Sequence, residues 1–140
     1  MNHTGHCLCG AVELRTTGAP EAMGYCHCTT CRTWASGPVV AFTIWKAEAV
    51  TITAGEEHVQ TFEKTERSKR KFCRRCGSQL MIAIPTLDRV NVFATTLPTL
   101  VFKPSLHVNY AETVLPMRDG LPKLKDFPGE VGGSGDSLPE

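Results

Sequence analysis

Short runs of alternating or β-branched residues recur along the chain between turn signals, and helical periodicity is scarce. In Ala11–Arg15 apolar and polar residues alternate, which places Val12 and Leu14 on one face of a strand. Turn signals rich in Gly and Pro separate such runs. About seven short strands are predicted, within Ala11–Arg15, Val39–Trp45, Val50–Thr53, Val59–Phe62, Gln79–Ile84, Arg89–Thr95 and Leu106–Tyr110. The pattern therefore predicts an all-β fold, a sandwich or folded-over sheet, with little helix.

Helix and domain boundaries follow from the same pattern. One helix of a turn or two is predicted near Thr29–Ala35. A chain of 140 residues has the size of a single domain. From Gly129 the composition turns to Gly and acidic residues with little to bury, which is typical of a flexible tail. We therefore expect one domain over residues 1–128 and a flexible acidic, Gly-rich tail over 129–140.

Composition excludes several classes of protein. With 41% hydrophobic residues, 21% charged residues and a net charge of +1, the chain is unlike disordered proteins. The longest apolar stretch, Leu80–Ile84, is far shorter than the ~20 residues that span a bilayer. The first six residues lack the charged and apolar regions of a signal peptide. We expect a soluble, cytoplasmic protein with no membrane partner.

Cysteine is the unusual component, with seven in the chain. In a reducing cytosol, clustered cysteines are more typical of metal binding or catalysis than of disulfides. They form three groups, which are Cys7-x-Cys9, Cys26-x-Cys28-x-x-Cys31 and Cys73-x-x-Cys76-Gly77. The last is typical of a zinc knuckle, because the glycine lets the chain turn back and bring its amides toward the sulfurs.

A knuckle supplies two of the four ligands that a tetrahedral structural zinc needs. If the N-terminal pair supplies the other two, three cysteines remain, and three ligands with one open position are typical of a catalytic zinc. A second partition joins the knuckle to Cys26 and Cys28, and leaves Cys7, Cys9 and Cys31. An iron–sulfur cluster, or a redox pair within the knuckle, is also compatible with the ligand types. Spacing favours zinc but does not choose between the partitions.

Histidines offer further ligands. His27 lies between two cysteines, and in an extended segment its side chain points to the face opposite both neighbours. We predict that it lines the pocket or makes a hydrogen bond, rather than completing the metal site. His107 is distant in sequence and could reach either site.

Seven of the fifteen basic residues lie close together, at Lys64, Arg67, Lys69, Arg70, Lys71, Arg74 and Arg75. A solvated face is one interpretation of this run. Another is that its cations offset the negative charge of a four-thiolate zinc site. Nucleic-acid binding is not expected, because the pI is near 7.6 and few aromatic residues are interleaved.

The three cysteine motifs together resemble those of a known family. The segment Gly5-His6-Cys7-Leu8-Cys9-Gly10-Ala11-Val12 resembles the opening motif of the glutathione-dependent formaldehyde-activating enzymes, whose domain is shared with centromere protein V-like proteins. The segments Cys26–Arg32 and Arg70–Leu80 are similar to the second and third motifs of that family, and Lys103–His107 and Asp119–Pro122 to its closing segments.

The resemblance implies a β-tent of short antiparallel sheets with two zinc ions. By analogy Cys7, Cys9, Cys73 and Cys76 hold a structural ion, and Cys26, Cys28 and Cys31 hold a catalytic one. The implied activity is the addition of glutathione to formaldehyde, giving S-hydroxymethylglutathione, with the reverse step a carbon–sulfur lyase reaction. The implied partners are a glutathione-like thiol and a small electrophile.

We take His27 and Arg32 as candidate substrate contacts, because they are among the polar residues nearest the three cysteines in sequence. The alternative is a zinc-stapled binding module that recognises a protein or nucleic acid and catalyses nothing.

Overall fold

A computed structural model describes all 140 residues and divides them into two compact units. Unit 1 consists of Met1–Ala22 and Thr43–Phe102, and unit 2 of Met23–Phe42 and Lys103–Glu140. Both units are built mainly from strands, which confirms the predicted all-β class. None of the helices has the length and apolar character needed to cross a membrane.

Twelve strands and one α-helix make up the regular structure. The strands are β1 (Asn2–His6), β2 (Glu13–Thr17), β3 (Ala22–Cys26), β4 (Val40–Lys46), β5 (Val50–Ala54), β6 (Val59–Thr65), β7 (Ser68–Cys73), β8 (Gln79–Ile84), β9 (Arg89–Phe93), β10 (Leu106–Val108), β11 (Lys123–Leu124) and β12 (Ser137–Leu138). The α-helix is α1 (Thr29–Ala35), where the sequence predicts one. Single-turn 3₁₀ helices lie at Ala47–Ala49, Glu56–His58, Pro85–Leu87, Ala94–Thr96, Tyr110–Glu112 and Gly129–Val131.

Unit 1 combines a three-stranded antiparallel sheet, in the order β1-β2-β5, with the antiparallel run β9-β8-β7-β6. Strand β2 shows the alternation read from the sequence, since Leu14 and Thr16 are fully buried and their neighbours are exposed. The buried cluster of this unit contains two cysteines among its apolar side chains, and consists of Cys7, Val12, Leu14, Trp45, Cys73, Leu80, Met81, Val90, Val92 and Leu97.

The buried hydroxyl of Thr43 in unit 1 both donates and accepts a hydrogen bond. The hydroxyl of Thr43 donates to the carbonyl of Val92 at 2.6 Å and accepts from Nε1 of Trp45 at 2.8 Å. Both Thr43 and Trp45 are 0% exposed, so these bonds satisfy groups that water cannot reach.

Unit 2 contains the strand order β12-β11-β10-β3, followed by the first residues of β4. Its short strand β10 runs parallel to both β3 and β11, whereas the resemblance implies antiparallel sheets. Gly24 is required in β3 because an added Cβ would lie 2.5 Å from the carbonyl oxygen of Leu106.

The segment 129–140, for which composition predicts a flexible tail, has defined contacts in the structure. Its strand β12 pairs antiparallel with β11. The carboxylate of Glu140 accepts a 2.9 Å hydrogen bond from Nζ of Lys123, a side chain that is only 1% exposed. A buried ammonium needs anionic partners. Composition averaged over a segment cannot show that one of its residues, Glu140, pairs with a buried lysine.

Candidate metal centres

Four cysteines of unit 1 come together at the ends of β1 and β7. The sulfurs of Cys7, Cys9, Cys73 and Cys76 all lie within 4.8 Å of one another. Cys9 Sγ is 3.6 Å from Cys7 Sγ and 3.9 Å from Cys73 Sγ. This grouping is the one implied by the resemblance, and it differs from the second partition, which joins the knuckle to Cys26 and Cys28.

Two similar glycine turns aim these sulfurs. After β1, the amide of Gly10 donates to the carbonyl of Cys7 at 3.0 Å, and Gly10 has a φ of +78°. After β7, the amide of Gly77 donates to the carbonyl of Cys73 at 2.7 Å, and Gly77 has a φ of +79°. Residues with a side chain rarely adopt this backbone conformation, which explains the glycine after each Cys pair.

Ser78 links the two turns, and sequence reasoning missed it. Its hydroxyl oxygen accepts from the amide of Leu8 at 2.8 Å and lies 3.2 Å from the sulfur of Cys76. The hydrogen bond from this hydroxyl, together with backbone amides, lowers the pKa of Cys76 to about 5. The amide of Val12 donates to Cys7 Sγ at 3.3 Å. The site therefore offers hydrogen bonds to sulfurs in their thiolate form.

The remaining three cysteines come together in unit 2. The sulfurs of Cys26, Cys28 and Cys31 lie within 4.8 Å of one another. Cys26 ends β3, Cys28 caps the N-terminus of α1 and Cys31 lies in its first turn. The amide of Cys31 donates to Cys28 Sγ at 3.2 Å, and the side-chain amide of Asn109 donates to Cys26 Sγ at 3.5 Å.

Crowding makes two of these thiols, Cys26 and Cys28, hard to ionise without a cation. Hydrogen bonding with Cys28 and Cys31, followed by burial, raises the pKa of Cys26 far above its ordinary value. A soft divalent cation would remove that penalty by pairing with all three sulfurs. The donor set therefore fits a thiophilic metal ion such as zinc.

His27 belongs to unit 2 and is fully buried. Its Nε2 is 2.8 Å from Nδ1 of His107, and its Nδ1 is 2.8 Å from the hydroxyl of Thr113. Burial first, and then the neighbouring His107, lower the pKa of His27 to about 4, so the ring is neutral at pH 7. The second nitrogen of His107 pairs with Asp119 at 2.8 Å. Both ring nitrogens of each histidine are therefore engaged by other side chains.

Arg32 uses its guanidinium to hold the cysteine loop. Its Nε donates to the carbonyl of His27 at 2.9 Å, and its Nη2 donates to the hydroxyl of Thr29 and to the carbonyl of Glu112, both at 3.0 Å. The Glu112 carboxylate in turn accepts from the amide and hydroxyl of Thr29 at 3.0 Å. These contacts join the loop that carries the three cysteines to the segment around residue 112.

The basic run extends from the end of β6 through β7 to the knuckle in unit 1. Arg70 is buried, Lys69 Nζ is 3.5 Å from the carboxylate of Glu63, and Lys71 Nζ donates to the hydroxyl of Thr61 at 3.1 Å. Two lysines of the run thus have partners within the β6–β7 hairpin. Arg74 and Arg75 lie between the two knuckle cysteines and are exposed.

Comparisons with known proteins agree with this arrangement. The family model described as glutathione-dependent formaldehyde-activating enzyme matches residues 2–112, which include all seven cysteines. An uncharacterized lyase of Schizosaccharomyces pombe is 33% identical over 81 residues, or 58% of this chain. The match spans 57% of that relative's length. A crystal structure of a Rhodobacter sphaeroides protein superposes with a TM-score of 0.59 at 20% identity, over 70% of this chain and 90% of the other, which supports the fold.

Proposed function

Because the chain belongs to the glutathione-dependent formaldehyde-activating enzyme family, we propose that it is a zinc-dependent enzyme of the carbon–sulfur lyase type. Its substrates would be glutathione or a similar thiol, and formaldehyde or another small electrophile. The observation that carries the proposal is the difference between the two cysteine groups, of which one offers four sulfurs and the other three. Two zinc ions per chain and a cytoplasmic location belong to the same proposal.

The donor sets suit different roles for the two ions. Cys7, Cys9, Cys73 and Cys76 would fill a tetrahedral site completely, which is typical of structural zinc. Cys26, Cys28 and Cys31 would leave one position for a substrate, which is typical of catalytic zinc. The engagement of His27 and His107 with other side chains supports an open fourth position.

Bound at the three cysteines, zinc would hold a substrate thiol as its thiolate at neutral pH, whereas a free thiol with a pKa of about 8.5 is mostly protonated. In the forward reaction the sulfur forms a bond to the carbonyl carbon, and the carbonyl oxygen takes the electron pair and a proton. In the reverse reaction the carbon–sulfur bond breaks, and the aldehyde and the thiol are released.

Residues around the three cysteines would place the electrophile. We retain Arg32 as a candidate contact for the developing oxyanion, through Nη1, the guanidinium nitrogen that the loop contacts do not use. His27 is buried with both ring nitrogens engaged, so we propose that it supports the cysteine loop instead of touching the substrate.

The test is to add glutathione to the purified zinc protein and follow the metal by X-ray absorption at the zinc edge. With one closed and one open site, the mean number of sulfur ligands should rise from about 3.5 to about 4 per zinc. The Cys31→Ser variant should show no such rise. Adduct formation from glutathione and formaldehyde, followed by NMR, should exceed the uncatalysed rate only in the wild type.

Two results would contradict the proposal. An unchanged zinc spectrum with saturating thiol would favour the binding module, because only an open site gains a sulfur. Iron rather than zinc in elemental analysis of the purified protein would replace both metal assignments.

A further inference from the structure

Three buried ionisable side chains of unit 2 are joined by hydrogen bonds through Asp119, whose own side chain is 31% exposed. His27 and His107 are 0% exposed and Lys123 is 1% exposed. The chain runs from Thr113 to His27, from His27 to His107 and from His107 to Asp119, with 2.8 Å at each step. Asp119 is also bonded to Lys123.

Lys123 sets one end of this chain. Its ammonium donates to a carboxylate oxygen of Asp119, to the carbonyl of Leu121 at 2.9 Å and to Glu140 at 2.9 Å, so its three hydrogens are all used. The amide of Leu121 donates to the same oxygen of Asp119, Oδ1, at 3.0 Å. Burial would raise the pKa of Asp119, but the bonds from Lys123 and His107 outweigh it and hold the pKa below its usual range. Asp119 is therefore a carboxylate whose other oxygen, Oδ2, faces His107.

The Asp119 carboxylate determines which atom donates in each hydrogen bond from His107 to Thr113. A carboxylate oxygen only accepts, so His107 carries a hydrogen on Nε2, and in the ring form with a single N–H its Nδ1 is the acceptor. His27 must then donate from Nε2 and accept at Nδ1 from the hydroxyl of Thr113. The Thr113 oxygen already accepts from the amide of Leu115 at 3.1 Å, which leaves its hydrogen for His27.

The chain fixes His27 on the inner side of an extended segment. The amide of His27 donates to Val108 at 3.1 Å and its carbonyl accepts from Arg32 at 2.9 Å, so backbone and ring are both held. Because side chains alternate along extended backbone, an inward His27 turns both flanking cysteines to the opposite side. In agreement with this, the sulfurs of both cysteines lie within 4.8 Å of each other and of Cys31 Sγ.

We propose that Asp119 is a positioning residue for the three-cysteine site, which sets the direction of the His107–His27 hydrogen bonds and so holds Cys26 and Cys28 beside Cys31. The inference rests on the proposed function in one respect, namely that these three sulfurs bind a metal ion. His107 and Asp119, which are 80 and 92 positions from His27 in sequence, thereby support that site.

The Asp119→Asn variant tests the direction of the chain with almost no change in shape. Lys123 and the Leu121 amide both require an acceptor, so the Asn oxygen should stay on their side and its NH₂ should face His107. A donor would then meet the Nε2 hydrogen of His107, unless both rings move their hydrogens to Nδ1. In serine-protease triads, the same exchange of Asp for Asn leaves the geometry intact and gives the wrong histidine tautomer.

Two measurements on the full-length cadmium-loaded protein follow these changes. Ring ¹⁵N NMR should show His27 and His107 as Nε2–H tautomers in the wild type and as Nδ1–H tautomers in the variant. Chelator competition followed by ¹¹³Cd NMR should distinguish the two sites by their sulfur number. The affinity of the three-cysteine site should fall by roughly 10-fold or more, as is typical when an outer-shell partner is lost, and the four-cysteine site should not change.

Glu130→Gln is the matched control, because it also exchanges a carboxylate for an amide in unit 2, at an exposed position. It should leave both the tautomers and the two affinities as in the wild type. Nδ1–H tautomers in the wild type would overturn the inference, and this measurement decides even if the Asn variant does not fold. Unchanged cadmium affinity, or an equal loss at both sites, in a folded Asn variant would also overturn it.

Failure of the proposed function gives a different result. In that case the wild type itself would bind no ion at the three cysteines, or would gain no sulfur ligand from glutathione. The ring tautomers would still report whether Asp119 directs the chain.

Discussion

The two cysteine groups should respond differently to the same substitution, Cys to Ser. Cys73 is 0% exposed and belongs to the buried cluster of unit 1, and its group brings together segments that are distant in sequence. Cys31 is only partly buried, and its group lies within one short stretch of chain from Cys26 to Cys31. We therefore expect Cys73→Ser to destabilise the domain strongly and Cys31→Ser to leave it folded.

The expected magnitudes follow from loop closure and burial. Cys9 and Cys73 are 64 residues apart, and a cross-link closing such a loop stabilises the fold by about 4 kcal/mol. A hydroxyl left without a partner in the buried cluster adds about 1–3 kcal/mol to the loss. A loop of a few residues is worth about 2 kcal/mol less than the long one, and the serine at position 31 is reached by water. We expect a loss of about 4 kcal/mol or more for Cys73→Ser and about 2 kcal/mol for Cys31→Ser.

Urea unfolding in a zinc-buffered solution measures this difference, with fluorescence of the buried Trp45 as the signal. With a urea dependence of about 2 kcal/mol per molar for a small protein, the midpoint of Cys73→Ser should fall by about 2 M. The midpoint of Cys31→Ser should fall by about 1 M on the same scale. Equal shifts in the two variants would refute the reasoning, because both cysteine groups would then contribute equally to the free energy of unfolding.

Three further predictions concern single contacts. Thr43→Val should lower the free energy of unfolding by about 2–4 kcal/mol in urea titrations, because the indole N–H of Trp45 and a buried carbonyl both lose their partner; a loss below 0.5 kcal/mol would contradict this. Gly55→Ala should cost more than the ~1 kcal/mol usual for a surface glycine and lower the melting temperature, since its φ is +76° and the new Cβ would lie 1.8 Å from the carbonyl of Ala11. Because the pKa of Asp119 is lower in the folded chain, its charge contributes fully above the unfolded value of about 3.9 and is lost as the pH falls through the folded value. The difference in unfolding free energy between the wild type and Asp119→Asn should therefore be constant from pH 5 to 7 and shrink on acidification, and growth at low pH would oppose this sign.

Local pattern was enough for strands with clear alternation or a continuous apolar run. β8 (Gln79–Ile84) has the predicted bounds, and β2 and β4 differ from prediction by one or two residues. The helix at Thr29–Ala35 also has its predicted bounds. In the strands β2, β4 and β8 the residues that fill the buried face are neighbours in sequence, so the periodicity contains the necessary information.

Strands whose burial depends on distant partners were missed. β7 (Ser68–Cys73) is the main example, because its sequence is dominated by cations and reads as a solvated face. Arg70 is nevertheless buried there, and the strand pairs on both sides, with β6 and with β8. The two-residue strands β11 and β12 are too short for any period to be visible.

At the candidate sites, the residue types were predictable and their grouping was less so. Spacing alone left two partitions of the cysteines, and the resemblance to a family selected the one in which the sulfurs cluster. The supporting residues Ser78, Asn109 and Asp119 act through contacts between segments far apart in sequence. No local pattern reports such contacts, although Asp119 lies in a segment that resembles a closing motif of the family.

Strand β12 and Glu140 have a practical consequence for anyone who trims the chain for crystallisation. Deleting residues 129–140, for which composition predicts a flexible tail, would leave β11 with an open edge and Lys123 with one carboxylate instead of two. Exposed strand edges recruit other molecules into aggregates. If the shortened protein precipitates, the loss of β12 and the exposed edge of β11 would explain it.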